Sequence, residues 1–228
     1  GYVRSEALAG GVAGLEVVWH RALRGGYGWI FPCRDGVFNI GVGLTRGRGA
    51  AAALPEANLR GLFDAFVRLH PTARELMATG QSLGPLKGAP LRCSLEGARW
   101  SRPGLLVAGE AAGSTYLLTG EGIGKALEAG LLAAQAIAEG REARAPDGAV
   151  RARYEAGLHA LKPRFAAYEQ ANRINEHPWL ADLVIWRARR SRRLVRQLGE
   201  VLEESRSPGP LVSAGGLLQL LLPLGGSS

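Results

Sequence analysis

An α+β or α/β chain is predicted: an antiparallel sheet with helices, one returning strand-and-helix pair, and a helical C-terminal region. Three patterns predict it. Residues 15–44 hold three short apolar and aromatic runs broken by turn residues. Residues 105–140 pass from four apolar residues through a small-residue turn into a long amphipathic stretch. From residue 149 onward the spacing is helical. The corresponding spans are 1–100, 101–148 and 149–228.

The runs 15–23, 26–33 and 37–44 read as successive strands, weighted by Trp19, Trp29 and Phe31. Arg34-Asp35-Gly36 supplies a hairpin turn of the Asp-Gly kind. Residues 55–70 and 72–79 read as helices parted by Pro71. Residues 82–95 carry Gly84, Pro85, Gly88 and Pro90 and read as loop or strand. Leu105, Leu106, Val107 and Ala108 are apolar in succession, as in a strand covered on both faces. The next helix places Ile123, Ala126, Leu127, Gly130, Leu131, Ala134, Ile137 and Ala138 on one face, with Gly140 as its stop. Gly and Ala on that face would let it lie close to a sheet. Residues 141–148 read as a linker. The pattern is then helical to residue 205 and again over 211–222.

Composition sets wider limits. A length of 228 residues suffices for one full core or two small domains. A hydrophobic share of 46% fits a globular chain, not a disordered one. The net charge of +8 comes from arginine, since Lys87, Lys125 and Lys162 are the only lysines. GC-rich coding also produces an Ala-, Gly-, Leu- and Arg-rich chain, so the charge by itself carries no functional argument. Cys33 and Cys93 have no metal or redox spacing, and a reducing compartment is expected. No signal-peptide pattern is present, and no apolar run reaches the roughly 18–20 residues that span a bilayer. The expected location is cytoplasmic, with attachment to a membrane periphery as the variant.

Residues 109–124 have two readings. Functionally, Gly109, Ala111, Ala112 and Gly113 remove side-chain bulk, so backbone N–H groups can approach a ligand closely. The helix opening at Thr119-Gly120-Glu121-Gly122 would present free N–H groups to a phosphate or a flavin carbonyl. Structurally, the glycines make a flexible strand-to-helix connection and nothing more; no GxGxxG occurs here. Tyr27, Trp29 and Phe31 likewise alternate onto one strand face, either as core packing or as the lining of an apolar pocket.

A family resemblance rests on two blocks. Gly109, Ala111, Ala112 and Gly113, followed by Thr119, Gly120, Glu121, Gly122 and Ile123, resemble the second FAD-contacting motif of the geranylgeranyl reductase family. That family belongs to the flavoproteins resembling p-hydroxybenzoate hydroxylase. The run Gly26-Tyr27-Gly28-Trp29-Ile30-Phe31-Pro32, then Asn39-Ile40-Gly41-Val42-Gly43, resembles its YxWxFP strand and the partner strand. The match covers residues 15–140. Two positions depart from the pattern: Glu110 stands where the family has aspartate, and Leu117-Leu118 stand where a proline is expected.

The resemblance implies an antiparallel substrate-domain sheet plus the C-terminal strand-helix part of an FAD-binding domain. It implies FAD contacts at Gly109, Glu110, Ala111, Gly113, Gly120, Glu121, Gly122 and Ile123. It places Tyr27, Trp29 and Phe31 beside an apolar substrate. In the family, NAD(P)H or another donor reduces the flavin, which then reduces a C=C bond of a polyprenyl chain. Flavin monooxygenases and halogenases of the wider group share the first motif and form the second reading. A non-catalytic truncated piece or subunit is the third. No residue is singled out as catalytic and no metal is implied. Nothing before residue 15 resembles the family's dinucleotide fingerprint. The chain is therefore expected to be the C-terminal portion of a longer flavoprotein. It would bind FAD weakly alone and would need the N-terminal dinucleotide-binding segment in cis or in trans.

The C-terminal region carries Arg187, Arg189, Arg190, Arg192, Arg193 and Arg196, and then a leucine-rich tail at 217–224. A basic helix and an apolar segment can lie on an anionic membrane surface. The alternative is a solvated helix face and a packed tail. The arginines lack interleaved stacking aromatics, so nucleic acid is not an expected partner. His20, His70, His159 and His177 are scattered and form no catalytic arrangement.

Overall fold

A computed structural model describes residues 1–23, 25–45, 58–213 and 215–216. The chain divides into two compact units, 1–89 with 174–183, and 90–173 with 184–228. The predicted helix start at Pro55 and the tail at 217–224 lie outside the described residues.

The first unit is built on β1 (Tyr2–Arg4), β2 (Glu16–Val18), β3 (Gly26–Pro32), β4 (Val37–Leu44) and β5 (Gln81–Ser82). Their order is β2-β3-β4-β1-β5, and every neighbouring pair is antiparallel. The β3–β4 hairpin is its spine, paired from Gly26↔Leu44 to Pro32↔Phe38. Asp35 and Gly36 turn it with φ of 57° and 65°. Positive φ at both central positions matches the strand twist, which is why Asp-Gly suits the site. The strand predicted over 15–23 is shorter. After Val18 the chain leaves the sheet for a 3₁₀ turn at Arg21–Leu23, where His20 Nδ1 accepts from the Ala22 amide. That turn drives Leu23 into the core.

Two helices cover one face of this sheet. Asn58 caps α1 (Leu59–Leu69) by accepting from the Gly61 amide at 2.8 Å. Pro71 opens α2 (Pro71–Thr79), where its fixed φ is already helical. Phe63, Phe66, Ala73 and Leu76 pack into one core with Val3, Ile30, Phe38 and Ile40.

The second unit contains β6 (Ser101–Arg102) and β7 (Leu105–Leu106), an antiparallel pair. They turn through Pro103-Gly104, with Gly104 at φ 72°. Two long helices follow, α3 (Ile123–Glu142) and α4 (Asp147–Ala171). The chain continues through α5 (Arg173–Glu176), α6 (Pro178–Ala188), α7 (Arg192–Leu202) and α8 (Gly209–Val212).

Two expectations are corrected in this unit. The apolar run at 105–108 is not covered on both faces: it forms only a two-residue ladder, and Leu105 is 51% exposed. The apolar face expected to meet a sheet on α3 instead points to solvent, with Ile123, Leu127 and Leu131 exposed by 82%, 67% and 65%. α3 buries the opposite face, through Lys125, Ala129, Ala136 and Gly140. The reason is local fit. A Cβ on Gly140 would lie 2.4 Å from Val150, so only glycine lets α4 come this close. α4 offers that face a stripe of Tyr154, Leu158, Phe165 and Tyr168.

A close sheet-to-helix contact lies at Gly28, where a Cβ would fall 2.5 Å from the ring of buried Phe66. Gly28→Ala should destabilise the chain by about 1–3 kcal/mol through overpacking. Thermal melts would read this as a drop in Tm, and an unchanged Tm would contradict the packing described.

Candidate cofactor-binding site

The site is assembled from the end of β7, the turn after it, and the start of α3. Tyr154 of α4 donates to the Val107 carbonyl at 2.6 Å, and the Val107 amide donates to the Trp100 carbonyl. Trp100 Nε1 then donates to the Ala112 carbonyl at 3.0 Å. Burial pushes the Tyr154 hydroxyl up to about 12, so it remains a donor. These bonds fix both ends of the 3₁₀ turn at Gly109–Ala112. Gly109 opens it at φ 68° and Gly113 closes it at φ 81°. A Cβ on Gly113 would lie 3.2 Å from Leu95 Cα, so this glycine serves both conformation and close packing. Glu110 and Ala111 are exposed on the open side. Glu110 accepts distantly, at 3.5 Å, from the Arg92 amide. Burial, and then the Glu110 charge, push the neighbouring Cys93 thiol up to about 11.

The loop from Ser114 folds back on itself. The Gly120 amide donates to the Tyr116 carbonyl, and the Tyr116 amide to the Glu121 carbonyl, with Gly120 at φ 69°. Gly122 precedes α3 so closely to Thr115 that a Cβ would lie 2.8 Å from its hydroxyl. Gly109 reaches the same helix, at a distance where its Cβ would touch Ala126. Gly109, Glu110, Ala111, Gly113, Gly120, Glu121, Gly122 and Ile123 therefore gather around one helix N-terminus. Glu121 itself accepts from the Gly124 amide at 2.7 Å, occupying one of the free N–H groups of the first turn.

Beneath this surface lies a buried polar cluster that sequence reasoning missed. Lys125, 8% exposed, bonds Glu204 at 2.6 Å, approaches Glu128 at 3.6 Å, and lies over the Tyr116 ring. Tyr116 stacks on Tyr168 with centroids 3.9 Å apart and tilts against Phe165. Arg164 of α4 pairs with Glu128. Burial favours the neutral form of Glu128, but Arg164 and then Lys125 outweigh it and hold the carboxyl below its usual range. Burial pushes the Tyr116 hydroxyl well up and raises that of Tyr168 to about 12. Burial, and then the neighbouring Glu204, raise Glu121, while the Gly124 amide favours its ionised form. The signal for this cluster was Lys125, one of three lysines in the chain, set in the small-residue first turns of α3 with Glu128 three residues on.

Tyr27, Trp29 and Phe31 lie in the first unit. They form a strip on the sheet face opposite α1, with Trp29 and Phe31 half-buried. Trp19 continues the strip at 5.7 Å from Tyr27, and Trp29 stacks on Phe31 at 6.1 Å. Gly41 and Gly43 of β4 lie under it; a Cβ on Gly41 would fall 2.3 Å from the Trp29 ring. Trp29 Nε1 donates to Asn39 Oδ1 at 2.6 Å. Among the described residues no group of His, Cys, Asp and Glu is arranged to hold a metal.

No protein-family profile matches the chain. It is similar to digeranylgeranylglycerophospholipid reductase 2 of Methanosphaera stadtmanae, 34% identical over 51% of this chain and 28% of that protein. It is also similar to the digeranylgeranylglycerophospholipid reductase of Thermoplasma volcanium, at 29% over 62% of this chain and 33% of that protein. The menaquinone reductase of Mycolicibacterium smegmatis is 35% identical over 50% and 27%. The chain thus spans about a third or less of the length of these relatives. The fold is shared with a geranylgeranyl bacteriochlorophyll reductase-like protein from Thermoplasma acidophilum. That superposition has a TM-score of 0.58 at 21% identity, covering 91% of this chain and 47% of the other. The resemblance read from the two sequence blocks is therefore matched by curated reductases and by a solved fold.

Because Glu121 is raised from its ordinary 4.5, its stabilising contribution is complete below that value and is lost as pH rises through the folded value. Glu121→Gln keeps a neutral hydrogen-bonding group at all pH. The variant should therefore gain Tm relative to the unaltered chain as pH rises from about 4.5 towards 8. Glu128 and Asp147, both lowered, lose their contribution only on acidification, in both proteins alike. Parallel melting curves across that range would refute the raised Glu121.

Proposed function

We propose that this chain is the C-terminal part of an FAD-dependent reductase that saturates C=C bonds of a prenyl lipid or prenyl quinone. One observation carries the reading: a turn free of large side chains, with three positive-φ glycines, placed against the N-terminus of α3. The residues there fit the cofactor. Gly109, Gly120 and Gly122, all partly exposed, leave backbone accessible to a flat ring, and Gly113 packs behind them against Leu95. The first-turn amides of α3 suit an electron-rich ring edge. Glu110, exposed beside them, is an acceptor for the hydroxyls of the ribityl chain. When bound, FAD would supply the hydride, drawn from NAD(P)H, that reduces the double bond.

The protein's own part is positional. The Tyr154 and Trp100 bonds hold the turn, and the Lys125 cluster holds the loop behind it. Trp29 and Phe31, half-buried beside the buried Tyr27, offer apolar area to a prenyl chain. The names of the relatives, reductases of a digeranylgeranylglycerophospholipid and of menaquinone, support this substrate class. Acceptors of this class reside in membranes, which supports a reaction at a membrane surface.

The outer face of α3 supports the further reading that the rest of the cofactor site comes from another segment. Four apolar residues at 105–108 followed by a helix with an uncovered apolar stripe make half of a βα unit. The missing half would be a sheet packing on Ile123, Leu127, Leu131 and Ile137, in the length of the relatives that this chain does not span.

The test is an anaerobic assay of the chain assembled with that segment, given NADPH and a menaquinone or a digeranylgeranyl lipid. The assembled protein should retain flavin, and product mass should rise by one hydrogen molecule for each bond reduced. Gly113→Val should release the flavin while leaving the far-ultraviolet spectrum helical. Retained flavin with neither acceptor reduced would count against the reductase. Leu127→Asp combined with Leu131→Asp should abolish assembly; assembly that survives both changes would count against α3 as the contact.

A further inference from the structure

We infer that the corner between α6 and α7 is the surface by which this chain docks on an anionic lipid bilayer. The proposal deepens the prenyl-lipid reading by naming where the protein meets the membrane, but it stands on this surface alone.

From Leu183 to Gly199 the sequence contains six arginines and no acidic residue. Arg187 is buried; Arg189, Arg190, Arg192, Arg193 and Arg196 are exposed. Among the described residues, Arg189, Arg192 and Arg193 form no ion pair, and Arg196 reaches Glu200 only at 3.9 Å. Arg190 lies over the Trp186 ring at 4.5 Å and donates to the Trp186 carbonyl. Arg189, Arg190 and Arg192, with Ser191 and Val195, line an open hollow of about 540 Å³ at the corner. Charge of one sign is concentrated here without internal compensation, which favours a negatively charged partner.

Apolar groups decide which partner. Trp186 and Val195 are 48% and 53% exposed among these arginines, and Leu202, 49% exposed, follows at the end of α7 beside Glu203. α7 turns Val201 inward, while Val195 and Leu202, seven residues apart, share the outward side with Arg192 and Glu203. The α7 cap at Ser191, whose hydroxyl accepts from the Leu194 amide, fixes where this helix begins. A phosphodiester strand would neutralise the arginines but leave Val195 and Leu202 in water. A bilayer surface satisfies both: headgroup phosphates meet the guanidinium groups, and Trp186, Val195 and Leu202 enter the boundary with the acyl chains. Among the described residues no helix is long and apolar enough to cross the bilayer, so the contact is with its surface.

The test is flotation of the purified chain with vesicles of phosphatidylcholine alone and of phosphatidylcholine with 30% phosphatidylglycerol, prepared for this purpose at about 0.1 M salt, near which exposed charges act over about 10 Å. Binding should require phosphatidylglycerol, weaken at high salt, and shift tryptophan emission to the blue. Trp186→Phe should remove that shift. Reversing Arg189, Arg192 and Arg193 to Glu should weaken binding by more than about a hundredfold; circular dichroism would confirm that the helices persist. No flotation, equal flotation with neutral vesicles, binding unaffected by the three reversals, or preference for duplex DNA over the anionic vesicles would each overturn the proposal. None of these readouts needs flavin, so the outcome is separate from that of the reductase assay.

Discussion

Lys125 is the junction on which the second unit depends. A lysine ammonium removed from water is costly unless other charges replace its hydration. Here Glu204 and Glu128 do so, with the face of Tyr116 alongside. Four pieces of chain meet through that amine: α3 itself, α4 through Arg164 and Glu128, the segment after α7 through Glu204, and the loop of Tyr116. The pairing also sets which way α3 faces. With Lys125, Ala129 and Ala136 turned inward, the 100° step between residues sends Ile123, Leu127 and Leu131 outward. The open glycine turn and the uncovered apolar stripe are two consequences of one helix orientation.

How much was legible depended on whether local chemistry decided the outcome. The β3–β4 hairpin was readable because Asp35 and Gly36 both tolerate positive φ and the strands on either side were long. The α1–α2 boundary was readable because Pro71 fixes it. The face of α3 was not, since both sides of that helix are rich in small and apolar residues. Only the fit of Gly140 to Val150 and of Lys125 to its carboxylates chose between them. The run 105–108 misled for a related reason: four apolar residues record that a strand is made to be covered, not that this chain supplies the cover. The motif glycines were placed correctly at a turn and a helix start, whereas of the Lys125 cluster only Lys125 itself gave a signal, because its partners Glu204, Arg164 and Tyr168 lie far away in sequence.

The exposed apolar area of the second unit divides into two surfaces of different chemistry. On α3 the outward residues are Ile123, Leu127, Leu131 and Ile137, separated by alanine and glycine. Such a stripe gains most from a closely fitted protein surface, because small residues allow near approach and no charge has to be desolvated. Around α7 the apolar residues are isolated among arginines. Burying that surface against protein would strand several guanidinium groups away from water, whereas a headgroup layer keeps them solvated and paired. The two surfaces are therefore not interchangeable, and each selects against the other's partner.

Glu121 links the buried cluster to the open site. Its carboxyl lies at the positive end of α3, where ionisation would be favoured, and it accepts from the Gly124 amide. Burial and the nearby Glu204 nonetheless raise it, so the environment behind the loop outweighs the helix dipole in front. The consequence falls on the amides beside it. An ionised Glu121 would cancel part of the positive potential at the start of α3. A neutral Glu121 leaves that potential directed at Gly109–Ala112. Lys125 opposes this by favouring the ionised form of Glu121. The potential at this helix end is thus set from beneath, by burial and Glu204 on one side and the buried Lys125 amine on the other.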